Sequence, residues 1–120
     1  MTIAKTSSSI LASTTIAAEG NASSSALDAS GAVGITITAN VTFNASATAG
    51  AVLSILSSPD NTNWDTIPLD QVAITLTAGG TVQITLPVTP SVKYVKAKIT
   101  NSDASYSITA ATITAVLTTP

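Results

Sequence analysis

The sequence predicts an all-β chain, an antiparallel β-sandwich of about eight or nine short strands in a jelly-roll or immunoglobulin-like arrangement. Three observations lead there. Residues 33–44 alternate without a break: Val33, Ile35, Ile37, Ala39, Val41 and Phe43 are apolar, while Gly34, Thr36, Thr38, Asn40, Thr42 and Asn44 are polar or glycine. Period two over that length describes a strand with one face buried and one face wet. Two apolar triplets, Val72/Ile74/Leu76 and Val82/Ile84/Leu86, flank Ala78-Gly79-Gly80 and predict a hairpin, since glycine supplies the positive φ that a tight turn needs. Turn signals recur about every ten residues and no stretch holds a helical period, the pattern of a sandwich or, second, a small barrel. No repeat of solenoid length is visible.

Each element follows from local chemistry. Residues 10–17 read as extended and end at Glu19-Gly20-Asn21. Residues 22–27 predict a short strand closed by Asp28-Ala29-Ser30-Gly31, whose side chains favour turns. Residues 51–56 lack alternation, as in a strand buried on both sides. The polar run 57–63 is a loop, and 64–67 a short strand after it. Pro87 and Pro90 end the second hairpin arm, because proline cannot donate a ladder hydrogen bond. Residues 92–100 place Val95, Ala97 and Ile99 on one face and Tyr94, Lys96 and Lys98 on the other. Asn101-Ser102-Asp103 turns the chain into a last strand, 106–117, where the apolar parity switches between Ile108 and Ile113; that predicts a bulge near Ala110-Ala111. The expected inward set is Val33, Ile35, Ile37, Val41, Val72, Ile74, Leu76, Val82, Ile84 and Leu86. Residues 1–7 are expected to form a flexible or partner-bound arm on one domain spanning 1–120.

Composition narrows function mostly by exclusion. The chain has 120 residues, a net charge of -2, four Lys, no Arg, no His and no Cys. Imidazole bases, thiol nucleophiles, disulfides and the usual zinc ligands are therefore missing, as are bidentate guanidinium clamps. So acidic a chain suits nucleic acid poorly, because that affinity comes from neutralising phosphates. No apolar run approaches the length of a membrane span, and Ser7, Ser8 and Ser9 interrupt any leader-like stretch at the N-terminus. Only 8% of residues are charged, against about 25% in ordinary domains, while 21 Thr and 16 Ser supply hydroxyls. Such a surface has weak colloidal protection, and suits either packing against further subunits or exposure outside the cell.

Few residues offer a site. Asn61, Asn63 and Asp65, with Asp60 beside them, alternate as oxygen ligands of a calcium loop do, but Thr66 and Val72 stand where the helix-loop-helix motif needs Gly and Glu; the other reading is an Asx-rich turn. Asp60 with Asp65, or Asp65 with Asp70, could be a glycosidase pair, but an aromatic platform is lacking. Lys93, Lys96 and Lys98 hold three of the four positive charges. The strip Tyr94, Lys96 and Lys98 is either a docking surface for an acidic partner or protection of an exposed strand edge. Asn21, Asn40 and Asn44 open glycosylation triplets of the sort a Ser/Thr-rich chain produces by chance. Trp64, the single Trp, is expected across the mouth of the core, or else against a ligand.

Two stretches carry a resemblance. One is Ser25-Ala26-Leu27-Asp28-Ala29-Ser30-Gly31-Ala32-Val33-Gly34 leading into the alternating strand; the other is Ser57-Ser58-Pro59-Asp60-Asn61-Thr62-Asn63-Trp64 after a buried strand. Together with the run Val92-Lys93-Tyr94-Val95-Lys96-Ala97-Lys98-Ile99-Thr100-Asn101, this order of elements resembles small all-β virion structural proteins of tailed bacteriophages. Their loop often has Gly where this chain has Asn61, and Asn tolerates the same left-handed conformation. The resemblance implies a non-enzymatic capsid decoration, head-fibre or tail-associated subunit located in the virion. Its implied partners are its own copies, with a trimer suited to a capsid three-fold, and capsid or tail proteins; no catalytic residue, cofactor, metal, nucleic acid or membrane comes with it. The alternative is an extracellular carbohydrate-binding or adhesin module using Trp64 and the Asp60–Asp65 loop.

Overall fold

A computed structural model describes residues 2–120. Nine strands form: β1 (Ala4–Ile16), β2 (Asn21–Ser23), β3 (Leu27–Asp28), β4 (Gly34–Phe43), β5 (Ala51–Ser58), β6 (Asp70–Ile74), β7 (Thr81–Val88), β8 (Tyr94–Asn101) and β9 (Ile108–Thr119). The first sheet has the order β1-β9-β4-β7. The second runs β2-β8-β5-β6, with β3 also on β8, and every pairing is antiparallel. The result is an all-β sandwich with no helix among the described residues.

The topology is that of a rolled ribbon. β5 pairs with β6, β4 with β7, β2 and β3 with β8, and β1 with β9, so the chain is one long antiparallel hairpin. Curling that ribbon adds the β4–β9 and β5–β8 pairings and closes a jelly roll. β2 and β3 are one strand interrupted at Ser24, whose hydroxyl replaces a main-chain acceptor: it takes the Ala97 N–H at 2.9 Å while the Ser24 N–H reaches the Ala97 carbonyl.

Ile35, Ile37, Val41 and Phe43 of β4 are buried, and the even residues between them are half-buried on the outer face. They meet Leu53 and Ile55 of β5 and Val95 and Ile99 of β8 in one core, with Ile113 and Ala115 of β9 completing it. Burying each large aliphatic side chain contributes about 1.5–3 kcal/mol. β5 is buried on both faces apart from the half-buried Val52 and Ser57, as its lack of alternation predicts. Asp103 and Asn101 fasten one end of the sandwich. The Asp103 carboxylate accepts the N–H groups of Thr48, Ala49, Ser105 and Tyr106 at 2.7–3.1 Å, and the Asn101 amide donates to the carbonyls of Ala17 and Tyr106.

Several expectations are corrected. The triplets at 72–76 and 82–86 do not form a hairpin: β6 lies in the second sheet beside β5, β7 in the first beside β4. Six residues separate Ile74 from Thr81, enough to cross the ~10 Å between sheets. The triplet residues do point inward as expected: Ile74 is fully buried, and Val72, Val82, Ile84 and Leu86, on the edge strands β6 and β7, and Leu76, past the end of β6, are partly buried against the core. Val33 is 56% exposed, since β4 begins one residue later, at Gly34. Residues 64–67 are not a strand, and Ile67 is 81% exposed. From Ala4 onward the expected N-terminal arm is part of β1, paired with Thr119 and its predecessors. The bulge in β9 falls at Thr109, one residue before its expected place: Thr42 faces Ala110 and Phe43 faces Ile108.

Candidate interaction surfaces

The strip Tyr94, Lys96 and Lys98 lies on the outer face of the second sheet, as its parity requires, and all three side chains are half-buried. Register places Tyr94 between Asp28 and Ser58, Lys96 beside Leu56, and Lys98 between Ser23 and Ser54. β8 is flanked on both sides, so protection of an exposed edge is not what these lysines do.

Trp64 joins them. The loop after β5 carries it back over the sheet, where the Lys96 ammonium sits 4.5 Å from the centre of its ring. The Lys93 ammonium lies 5.7 Å from the Tyr94 ring. Cations over aromatic faces are attracted by the ring quadrupole, and the Lys stems cover the apolar surface beneath; Leu56, although on the outer face, is only 8% exposed. Trp64 is therefore on this outer face and not across the mouth of the core. Parity of Lys96 was readable from sequence, but nothing local announced its stacking on a ring thirty-two positions earlier.

The Asp60–Asp65 loop is held by its own donors. Asp60 accepts the N–H groups of Asn63 and Thr62 at 2.8 and 2.9 Å, the Asn63 side-chain amide and the Ser58 hydroxyl. Those donors, led by the Asn63 N–H, hold its carboxyl far below the usual range. Asp65 accepts from the hydroxyl and N–H of Ser57, which lowers it too. Asn61 has φ 62°, the left-handed conformation expected at the position where the resembling loops have glycine. The arrangement is an Asx-type turn that consumes both carboxylates. Asp70, the other carboxylate considered for a pair, accepts the Gln71 N–H at the start of β6. Beside this loop lies an open depression of about 380 Å³ lined by Ser57, Ser58, Pro59, Ser91, Val92 and Lys93.

The outer face of the first sheet is different in kind. Register aligns Thr85, Thr38, Thr114 and Ser9 across four strands, and Gln83, Asn40 and Thr112 across three. Thr38 and Thr85 share a hydroxyl–hydroxyl bond of 2.8 Å, as do Thr42 and Thr81. Lys5, paired with Thr118, brings the one charge on this face among the described residues. The even residues of β4 revealed this face in sequence; the alignment of strands from three other parts of the chain did not show there.

No protein-family model and no curated protein sequence matches the chain. Solved structures share the fold. The PBSX exported protein XepA superposes with a TM-score of 0.66 at 16% identity, over 93% of this chain and 36% of that one, so the chain spans about a third of XepA. The SPBc2 prophage-derived protein YomS gives 0.55 at 9% identity over 99% and 96%. A subunit of Bacillus endospore appendages, described as disulfide-linked pili, gives 0.54 at 16% over 99% and 90%. The chain is thus an all-β sandwich similar in fold to prophage-derived and surface-appendage proteins.

Proposed function

We propose that this chain is a non-enzymatic structural subunit of a tailed-bacteriophage virion, a capsid decoration or other head- or tail-associated protein, working by self-assembly and docking. The observation that carries the reading is the outer face of the first sheet, a broad hydroxyl surface with one charge. Thr and Ser lose little side-chain entropy when fixed, and their hydroxyls find partners easily, so such a face packs against protein at low cost. The acids fit the reading, since Asp28, Asp60, Asp65 and Asp103 all accept hydrogen bonds from the backbone of this chain. The shared fold with XepA and YomS is consistent with it. Tyr94, Lys96 and Lys98, with Trp64, form the charged face available to a shell or tail partner.

Mass spectrometry of purified particles from the source tests the proposal. The chain should be present at a fixed ratio to the major shell or tail protein. Its absence from particles, together with glycan binding that Trp64→Ala abolishes, would overturn the reading in favour of an adhesin-type module.

A further inference from the structure

The strand β7 is eight residues long and alternates regularly between an inner and an outer face, and it has one neighbour, β4. The other edges of the sandwich are guarded. The regular part of β1 carries Lys5 and presents Ala4, Thr6 and Ser8, all exposed, and the rest is broken by register shifts. β2 and β3 are interrupted, and β6 is five residues long with Asp70 at its start. Short strands, bulges, charges and proline are the usual means of blunting an edge, and β7 has only Pro87, near its end. β7 has none of them from Thr81 to Leu86, and no charged residue occurs between Asp70 and Lys93. Val82, Ile84 and Leu86 remain only partly buried on its inner side. Its outer edge has no hydrogen-bond partner among the described residues.

We infer that β7 pairs with β7 of a second copy, antiparallel about a two-fold axis at Ile84, joining two four-stranded sheets into one of eight. This rests on the self-assembly reading above and names the surface it uses. Unpaired N–H and C=O groups on an edge select an extended strand as partner. The side-chain parity of β7 is self-complementary about Ile84. Ile84 meets Ile84, Val82 of one copy meets Leu86 of the other on the inner side, and Gln83 meets Thr85 on the outer side. Like charges meet nowhere along the pairing, and Pro87 ends it. The contact is isologous and closes after two copies. It buries less than the ~800 Å² per partner of a standard interface, so it forms at high micromolar protein and not at nanomolar.

The absence of cysteine from the chain makes cross-linking clean. Ile84→Cys should form a disulfide dimer on mild oxidation, since residues at the axis of an antiparallel pair lie within disulfide reach, whereas Thr112→Cys, on the interior strand β9, should stay monomeric. The double variant Gln83→Lys/Thr85→Lys places lysines opposite one another across the axis at exposed positions. Light scattering should show the parent mass doubling as protein is concentrated and the double variant remaining at one copy, with a thermal midpoint lowered no further than in Thr38→Ala, which loses the same Thr38–Thr85 hydroxyl pair. Retained dimers in the double variant, or no more cross-linking at position 84 than at 112, would overturn the β7 pairing and leave self-assembly through another surface. A parent chain that stays monomeric throughout would overturn self-assembly as well.

Discussion

The two sheets bury similar inner faces and show water different chemistry outside. β4 and β9 of the first sheet send Ile37, Val41 and Ile113 inward, and β5 and β8 of the second send Leu53, Ile55, Val95 and Ile99. Outside, the first sheet is a lattice of hydroxyls aligned by register, whereas the second carries Tyr94, Lys96, Lys98 and Trp64 with the acids of the neighbouring loops. A core needs only apolar volume and close packing, so either sheet can supply half of it. The outer faces are free of that demand, and there the chain is specialised: one face is suited to broad contact, the other to contacts fixed by charge and aromatic rings.

The comparison breaks first if the two inner faces are not equivalent. Ile37→Ala and Leu53→Ala each remove a fully buried side chain from opposite sheets, and each should cost about 2–5 kcal/mol in chemical denaturation. Thr36→Ala, on the outer face of the same strand as Ile37, should cost well under that. Equal midpoint shifts for Ile37→Ala and Thr36→Ala would mean that the parity of β4 is wrong.

Asp103 tests the fastening that both sheets share. Backbone N–H groups, that of Thr48 first, hold its carboxyl well below the ordinary range. A depressed folded pKa means that the unfolded chain takes up its proton first as acid is added. The contribution of Asp103 is thus present above the unfolded value near pH ~3.9 and is lost as pH falls through the lower folded value. Asp103→Asn should lower the denaturation midpoint at neutral pH and flatten the pH dependence below pH ~4. A parent-like acid limb in the variant would assign acid sensitivity to other carboxylates.

The smallest effects separate the outer faces themselves. Lys96→Ala removes the cation over Trp64 and should cost ~0.5–1 kcal/mol, with a change in the emission of the single tryptophan that reports the loss directly. Thr38→Ala removes one hydroxyl pair with Thr85 and should cost ~0.2–1 kcal/mol without altering that emission. Raising salt should weaken a contact made through the lysine face and leave one made through the hydroxyl face nearly unchanged; oligomers that dissolve with salt would reverse that assignment.

Much of the fold was legible locally because period two is written into neighbouring residues. The burial of Ile35, Ile37, Val41 and Ile74, the shared inward face of Val95, Ala97 and Ile99, and the parity switch in β9 all follow from side chains alternating along a strand, and the burial of β5 from its lack of alternation. The outward strip Tyr94, Lys96 and Lys98 follows in the same way. The expected hairpin fails because a local signal does not choose a distant neighbour. The Gly79-Gly80 turn between two matched triplets satisfies every rule for a hairpin, but those rules do not count the pairings available elsewhere.

By itself, then, the sequence determined the all-β class, the buried face of the regularly alternating strands, and that conventional His, Cys and Arg chemistry is missing. Only the tertiary structure decided that β7 lies beside β4 and not β6, that Trp64 folds back onto Lys96, and that threonines from separate strands align into one face. The reason is physical: alternation fixes a strand's two faces through its own pleat, whereas its neighbours are set by closing loops of very different lengths around a shared core. That choice depends on the whole rolled ribbon, and no segment of it contains the answer.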